Sequence, residues 1–257
     1  MVIFFLKKNK LCVILNLSKI QKGVLMKISN ETLSILKSFS SINPVTYLGV
    51  DKNSIQVVRK DKSLIGVYQT AEDFTTECAF WNMPQLLSVI DSMGGNNAEI
   101  EFDDRFIKVV NADNIHVKYL YTNEAIIIKN NPKPVGFTRY NRDFNKDDKY
   151  FEFEISKDIL DKLLKLSKIL ELEVITFNFE NGVGTAKLQK TSEDGEGHNF
   201  DVELKGEGSG SISINLENLN IILGDYKVMI EKGIVSKWVN KNIPLFYLIG
   251  SKANVRG

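Results

Sequence analysis

Glu101, Asp103 and Asp104 are the nearest this chain comes to a catalytic constellation. Three carboxylates so close together could hold a Mg²⁺ ion and support phosphodiester hydrolysis. The same run, Glu-Phe-Asp-Asp-Arg-Phe between two apolar stretches, also has the composition of a hairpin turn. His116 and His198 are the only histidines, and neither stands at metal-ligand spacing from another His or Cys. The acidic loop Glu193–Glu196 lacks the spacing of a calcium loop. No G-x-x-x-x-G-K-[ST] loop is present, which excludes a P-loop ATPase, and no G-x-S-x-G elbow presents a nucleophile. Cys78, in the strand-like stretch Thr75–Phe80, reads as a small buried apolar residue. Neither catalysis nor a metal or cofactor is expected, with a carboxylate-based nuclease as the alternative.

Lysines at helical spacing carry the stronger signal. On a helix over Ser29–Ser41, Lys37 lies opposite Leu33, Ile35, Leu36 and Phe39. On a second, Ser156–Leu170, the stripe Ile159, Leu160, Leu163, Leu166 and Leu170 faces away from Lys157, Asp161, Lys165 and Lys168. Taken singly, each is an ordinary solvated helix face. Taken together, two such helices packed side by side would make a shared basic surface. Lysine suits mobile phosphate contacts better than base readout, and no aromatics are interleaved for single-strand stacking. The partner this implies is a duplex backbone, held without sequence preference.

The elements that must position these helices come in two similar sets, at residues 26–129 and 150–257. Each begins with a short strand and a capped, lysine-bearing helix. Each continues as hairpins, a second short helix (Met83–Met93, Leu216–Leu223) and further strands. Asn82-Met83-Pro84 opens the second helix of the first set, and Gly94-Gly95-Asn96-Asn97 closes it. Residues 130–149, with Pro132, Pro134 and many charges, read as a connector. The pattern is α+β and duplicated, which points to a pseudo-symmetric scaffold.

Residues 1–25 differ from the rest, with five lysines and no acid. They outweigh the chain's formal charge of +1, so the body from Met26 onward is net acidic and any basic patch there is local. The apolar runs Val2–Leu6 and Leu11–Leu17 are too short to span a membrane and lack a signal-peptide layout. Lys22–Met26 back-translates to a bacterial ribosome-binding sequence just before an ATG, so Met26 is the expected start. The alternative is an ordered or membrane-touching helix. Beyond this segment Cys78 is the sole cysteine, as in a reducing cytosol.

Three blocks resemble a known family. Met26–Asn43 (MKISNETLSILKSFSSIN) resembles the start of the DNA polymerase sliding clamp of T-even-type bacteriophages. Ile155–Lys168 (ISKDILDKLLKLSK) resembles the first helix of that clamp's second domain, and Gly224–Ile230 (GDYKVMI) the strand after its last helix. The match runs through 26–257 in order and length. It implies a duplicated sliding-clamp fold and a homotrimer closed head to tail, with helices lining the hole and sheets outside. It also implies a non-enzymatic processivity factor in the cytoplasm of an infected bacterium, with no membrane partner. Duplex DNA, the replicative polymerase and an ATP-dependent clamp loader are its implied partners.

The DNA-facing residues would be Lys37, Lys157, Lys162, Lys165 and Lys168. A partner-peptide pocket would be lined by Pro134, Val135, Ile234, Pro244, Phe246 and Tyr247. Subunits would meet through edge strands Ile115–Thr122 and Gly184–Thr191, with Ile115, Val117, Tyr119, Lys187 and Gln189 at the joint. The chain departs from the family in its longer connector and in its basic tail, Ser251–Gly257. A virion structural protein is a further alternative, one that would leave the lysine faces unexplained.

Overall fold

The computed structural model describes residues 25–74, 76–103, 105–122, 144, 150–190 and 200–252. Outside them lie residues 1–24, most of the connector with Pro134 and Val135, Asp104, the acidic loop 193–196, His198, and the end of the tail. No helix among the described residues is long and apolar enough to cross a membrane.

The first half runs β1 (Leu25–Lys27), α1 (Asn30–Ile42), β2 (Thr46–Val50), β3 (Ser54–Val58), β4 (Leu64–Gln69) and β5 (Cys78–Phe80). It continues with α2 (Met83–Ser92), β6 (Glu99–Phe102), β7 (Phe106–Val110) and β8 (His116–Leu120). The second half runs β9 (Phe151–Ile155), α3 (Lys157–Ile169), β10 (Val174–Glu180), β11 (Val183–Gln189), β12 (Phe200–Gly208) and β13 (Gly210–Asn215). A 3₁₀ turn (Leu216–Leu219), β14 (Tyr226–Glu231), β15 (Val235–Asn240) and β16 (Leu245–Gly250) complete it.

Strand order makes the duplication explicit. The first half contains the four-strand sets β5-β2-β3-β4 and β1-β6-β7-β8; the second repeats them as β13-β10-β11-β12 and β9-β14-β15-β16. In the second half the sets are joined, because Gly206–Gly208 of β12 pair with Phe151–Phe153 of β9. A Cβ on Gly206 would lie 2.2 Å from the Glu152 carbonyl oxygen, so only glycine allows that approach. In the first half β4 pairs instead with β16, from Leu245–Tyr68 to Ile249–Leu64, and twelve strands become one sheet.

Helices form where the sequence places caps. The Ser29 hydroxyl accepts from the Thr32 N–H and the Ser156 hydroxyl from that of Ile159, each satisfying an otherwise orphaned donor. Asn82 caps α2 in the same way, with Pro84 in the first turn. Leu33, Leu36 and Phe39 of α1, Leu86 and Ile90 of α2, and Leu160 and Leu163 of α3 bury one face against the strands. Phe153, Phe177, Tyr226 and Trp238 fill the second half's core. Burying each such side chain contributes about 1.5–3 kcal/mol.

Three expectations change. The helix read over Leu216–Leu223 is a single 3₁₀ turn. Its Asn218 side chain is buried and accepts from Arg59 Nη1 (2.8 Å) and Ser63 Oγ (2.9 Å), so tertiary contacts override the short apolar pattern. Of the strand read over Thr75–Phe80, the described residues form one only at Cys78–Phe80. The third correction concerns Gly184–Thr191, read as an edge. Its strand β11 lies inside the sheet, hydrogen-bonded to β10 on one side and β12 on the other. Lys187 and Gln189 therefore belong to an interior strand, which has no backbone edge to offer a neighbour.

Candidate nucleic-acid interface

Counted from their capping serines, α1 and α3 are thirteen-residue helices in equivalent places, with Ser29 matching Ser156. The lysines do not fall in register. Lys37 matches Leu164, whereas Lys157, Lys162, Lys165 and Lys168 match Asn30, Ile35, Ser38 and Ser41. All four α3 lysines are exposed, on the arc opposite buried Leu160, Leu163 and Ser167.

Their electrostatic settings also differ. Lys37 Nζ reaches across to Asp91 of α2 at 3.1 Å, so the one lysine on α1 is matched by a neighbouring acid. On α3, Lys165 pairs with Asp161 at 2.6 Å, one helical turn away. Such an exposed pair contributes only a few tenths of a kcal/mol and is readily exchanged for another anion. The start of α3 is fixed by Asp225, whose Oδ1 accepts the Lys157 backbone N–H at 2.8 Å. That bond, with others from Asn242 and the charges of Lys241 and Lys157, holds the Asp225 carboxyl below its usual range.

Where α2 covers one flank of α1, the equivalent flank of α3 is open. The 3₁₀ turn leaves a cleft of about 810 Å³ whose walls include Leu164, Lys165, Lys168, Leu172, Leu219 and Ile221. Glu217, on the far side, is drawn away toward Arg59, with Nη2 to Oε2 at 3.1 Å.

The remaining predicted site residues separate into distinct places. Among the described members of the peptide-pocket set, Pro244 precedes β16 and is exposed, while Ile234 lies beside its far end, where its carbonyl accepts from Ser251 N–H. Between them Phe246 and Tyr247 point to opposite faces, as neighbours on a strand must. Tyr247 is fully buried, its hydroxyl accepting from Ile222 N–H (3.3 Å); Phe246 is covered by Lys237, whose Nζ lies 5.1 Å from the ring centre. The structure does not bring these four side chains to one pocket.

At the joint set, β8 pairs with β7 on one side and with no described strand on the other. Ile115 and Leu120 are exposed there, while Val117 is half-buried and Tyr119 donates to Gln85 Oε1 at 3.0 Å. Sequence reading missed a second open edge. β12 pairs with β9 only from Gly206 on, so the side of Phe200–Lys205 away from β11 has no described partner. Periodicity marks these residues as a strand but carries no information on how many neighbours it has.

The described members of the carboxylate cluster, Glu101 and Asp103, sit in hairpin contacts. Asp103 N–H bonds the Phe106 carbonyl (3.0 Å) and Glu101 pairs with Lys108 at 3.4 Å. Among the described residues no group of three His, Cys, Asp or Glu could hold a metal ion.

No protein-family model and no curated protein matches the chain. Solved structures do. A putative DNA polymerase III β subunit from Eubacterium rectale matches 90% of this chain and 66% of its own, with TM-score 0.65 and 14% identity. The Helicobacter pylori β clamp, in complex with 3,4-difluorobenzamide, matches 88% of this chain and 65% of its own, with TM-score 0.63 and 13% identity. The PCNA2–PCNA3 complex of Sulfolobus tokodaii matches 90% and 99%, with TM-score 0.61 and 11% identity. This chain spans about two thirds of the length of the bacterial β subunits. Across nearly all of its length, it has the sliding-clamp fold.

Proposed function

We propose that this protein is a sliding clamp that encircles duplex DNA without sequence preference and tethers a replicative polymerase to it. One observation carries the reading: the joint inside the chain has an unfilled counterpart at its ends. Within the chain, β16 of the second half pairs with β4 of the first. By the duplication, β8 is the counterpart of β16 and β12 that of β4. Each of those two has an open edge among the described residues. Pairing β8 of one copy with β12 of the next repeats the internal joint between copies, and a heterologous contact of this kind generates a ring where its rotation closes. Lys118 on β8, against Asp201 and Glu203 on β12, gives the two edges complementary charge.

The ring is a homotrimer of two-domain subunits, of the T-even phage type that the three sequence blocks resemble. A closed ring stays on DNA by topology, so its phosphate contacts can be few and weak. A polymerase bound to it gains a high effective concentration at the primer end. The protein is not an enzyme. Opening and loading fall to a separate ATP-driven clamp loader, in the cytoplasm of an infected bacterium.

Light scattering across a concentration series tests the assembly, and primer extension with loader and polymerase tests the function. A trimer that lengthens extension products is expected. A monomer at all concentrations would overturn the ring.

A further inference from the structure

The two halves of the chain are near copies in fold but not in charge, and the difference falls on the face that would meet DNA. α1 carries one lysine and one glutamate, and α2 adds only Asp91. That one lysine stands against two acids, Glu31 and Asp91, the latter 3.1 Å from it, so the helix pair presents no surplus cation. α3 carries four lysines against two aspartates. Among the described residues only Lys165 of the four makes a side-chain ion pair, with Asp161 on its own helix. The ammonium groups of Lys157, Lys162 and Lys168 have no described carboxylate oxygen within 4 Å, although the Lys157 charge acts on nearby Asp225.

The missing second helix accentuates the contrast. In the first half, α2 brings Asp91 to the flank of α1. In the second half that space is the cleft beside α3, and Glu217 on its far wall is paired with Arg59. Glu171 and Glu173, which follow α3 at its C-terminal end, also line this cleft, so its acids lie past the helix and the exposed arc of α3 keeps its surplus of lysines. Position by position, the exchange of Asn30, Ile35, Ser38 and Ser41 for lysine builds the basic face on one helix only.

We propose that α3 alone is the phosphate-tracking surface and that the α1–α2 pair contributes no phosphate contact. This rests on the clamp reading and sharpens it. Each protomer then offers the duplex one basic sector followed by one near-neutral sector, and phosphates are handed from one α3 to the next around the ring. Lys37, a candidate from the sequence, is assigned to the α1–α2 contact.

The test is the affinity of the full chain for a linear duplex, followed by fluorescence anisotropy as salt is raised from a low starting value. The variants are Lys37→Gln and the triple Lys157→Gln/Lys162→Gln/Lys168→Gln, with Lys157→Arg/Lys162→Arg/Lys168→Arg as the charge-retaining control. Each phosphate contact adds about 0.9 to the slope of log K against log salt, so the triple glutamine variant should lower that slope by up to about 2.7. It should also bind at least tenfold more weakly at low salt, while Lys37→Gln and the arginine control match the parent. Equal losses for Lys37→Gln and the triple variant would overturn the assignment to α3 and leave the clamp reading standing. A triple variant indistinguishable from the parent would do the same. A parent with no measurable duplex binding at the lowest salt would overturn the α3 surface, while the clamp reading, which rests on topology and a loader, is decided by the trimer and primer-extension measurements. Unchanged solution mass and melting temperature in the variants show that charge, not folding, is being read.

Discussion

Phe39 of α1 and Tyr247 of β16 meet edge to face, ring centres 6.1 Å apart, across the joint between the two halves. Both are fully buried. Gly66 of β4 lies between them, where a Cβ would stand 3.0 Å from each ring. The β16–β4 ladder therefore shares one core with α1, and the halves are coupled through side chains as well as backbone.

Tyr247→Ala should cost about 3–5 kcal/mol, as loss of a large buried aromatic does. Tyr247→Phe keeps the ring and loses only the hydroxyl that accepts from Ile222, at about 1 kcal/mol. Urea unfolding followed by the fluorescence of Trp81 in the first half and Trp238 in the second would measure both. A single transition in the parent is expected, because the core does not divide at the joint. Two separated transitions would show that the halves unfold independently.

Arg59 is a second tie across the same joint. Its guanidinium donates to the Glu217 carbonyl (3.0 Å) and the Asn218 side chain (2.8 Å), and pairs with the Glu217 carboxylate. Arg59→Ala would strand the buried Asn218 with Ser63 alone, at about 1–3 kcal/mol. Arg59→Lys should recover only part, since a point charge cannot make the forked contact. A melting series of the three proteins tests this ordering.

Much of this arrangement was legible in the sequence and some was not. Capping serines, the Asn82–Pro84 helix start and the apolar stripes located α1, α2 and α3, because those signals are local. The fate of Leu216–Leu223 was not local: Arg59 and Ser63, over 150 residues away, claim Asn218 and stop the helix at one turn. Likewise, β11 and β12 both read as strands, and only tertiary pairing makes one interior and leaves the other an open edge. Lys37 was grouped with the α3 lysines because it lies opposite an apolar stripe, a pattern blind to Asp91 on another helix.

Cys78 is buried and its thiol is pushed well above the usual range by loss of solvent. In a Cys12→Ser background, native protein at pH 8 should react with a disulfide reagent orders of magnitude more slowly than protein in denaturant. Rapid native labelling would mean that β5 opens readily.

Asp225 sets an acid limit on α3. Its folded pKa lies below the unfolded value, so its contribution to stability is fully present above the unfolded pKa of about 4. It is lost as pH falls through the lower folded pKa. Asp225→Asn removes the carboxylate that the Lys157 N–H and the nearby lysines favour. Thermal melts between pH 7 and pH 3 should show a shallower fall for the variant than for the parent. Parallel curves would place the acid sensitivity elsewhere.

The open edges make the sharpest prediction about assembly. Lys118 and Leu120 share the exposed face of β8, with Leu120 69% exposed in the single chain, so acidic side chains there cost the folded monomer little. If β8 pairs with β12 of a second copy, Lys118→Asp with Leu120→Asp places two acids against the strand that carries Asp201 and Glu203. Like charges across an interface cost several kcal/mol, enough to move a trimer to monomer at micromolar concentration. Light scattering should then report a monomer, and circular dichroism an unchanged fold. Asp201→Lys with Glu203→Lys, added to that variant, should restore part of the trimer, because the signs again oppose. Rescue is the decisive result, since loss of assembly alone could follow from any damage to β8, but recovery by substitutions on β12 requires the two strands to meet.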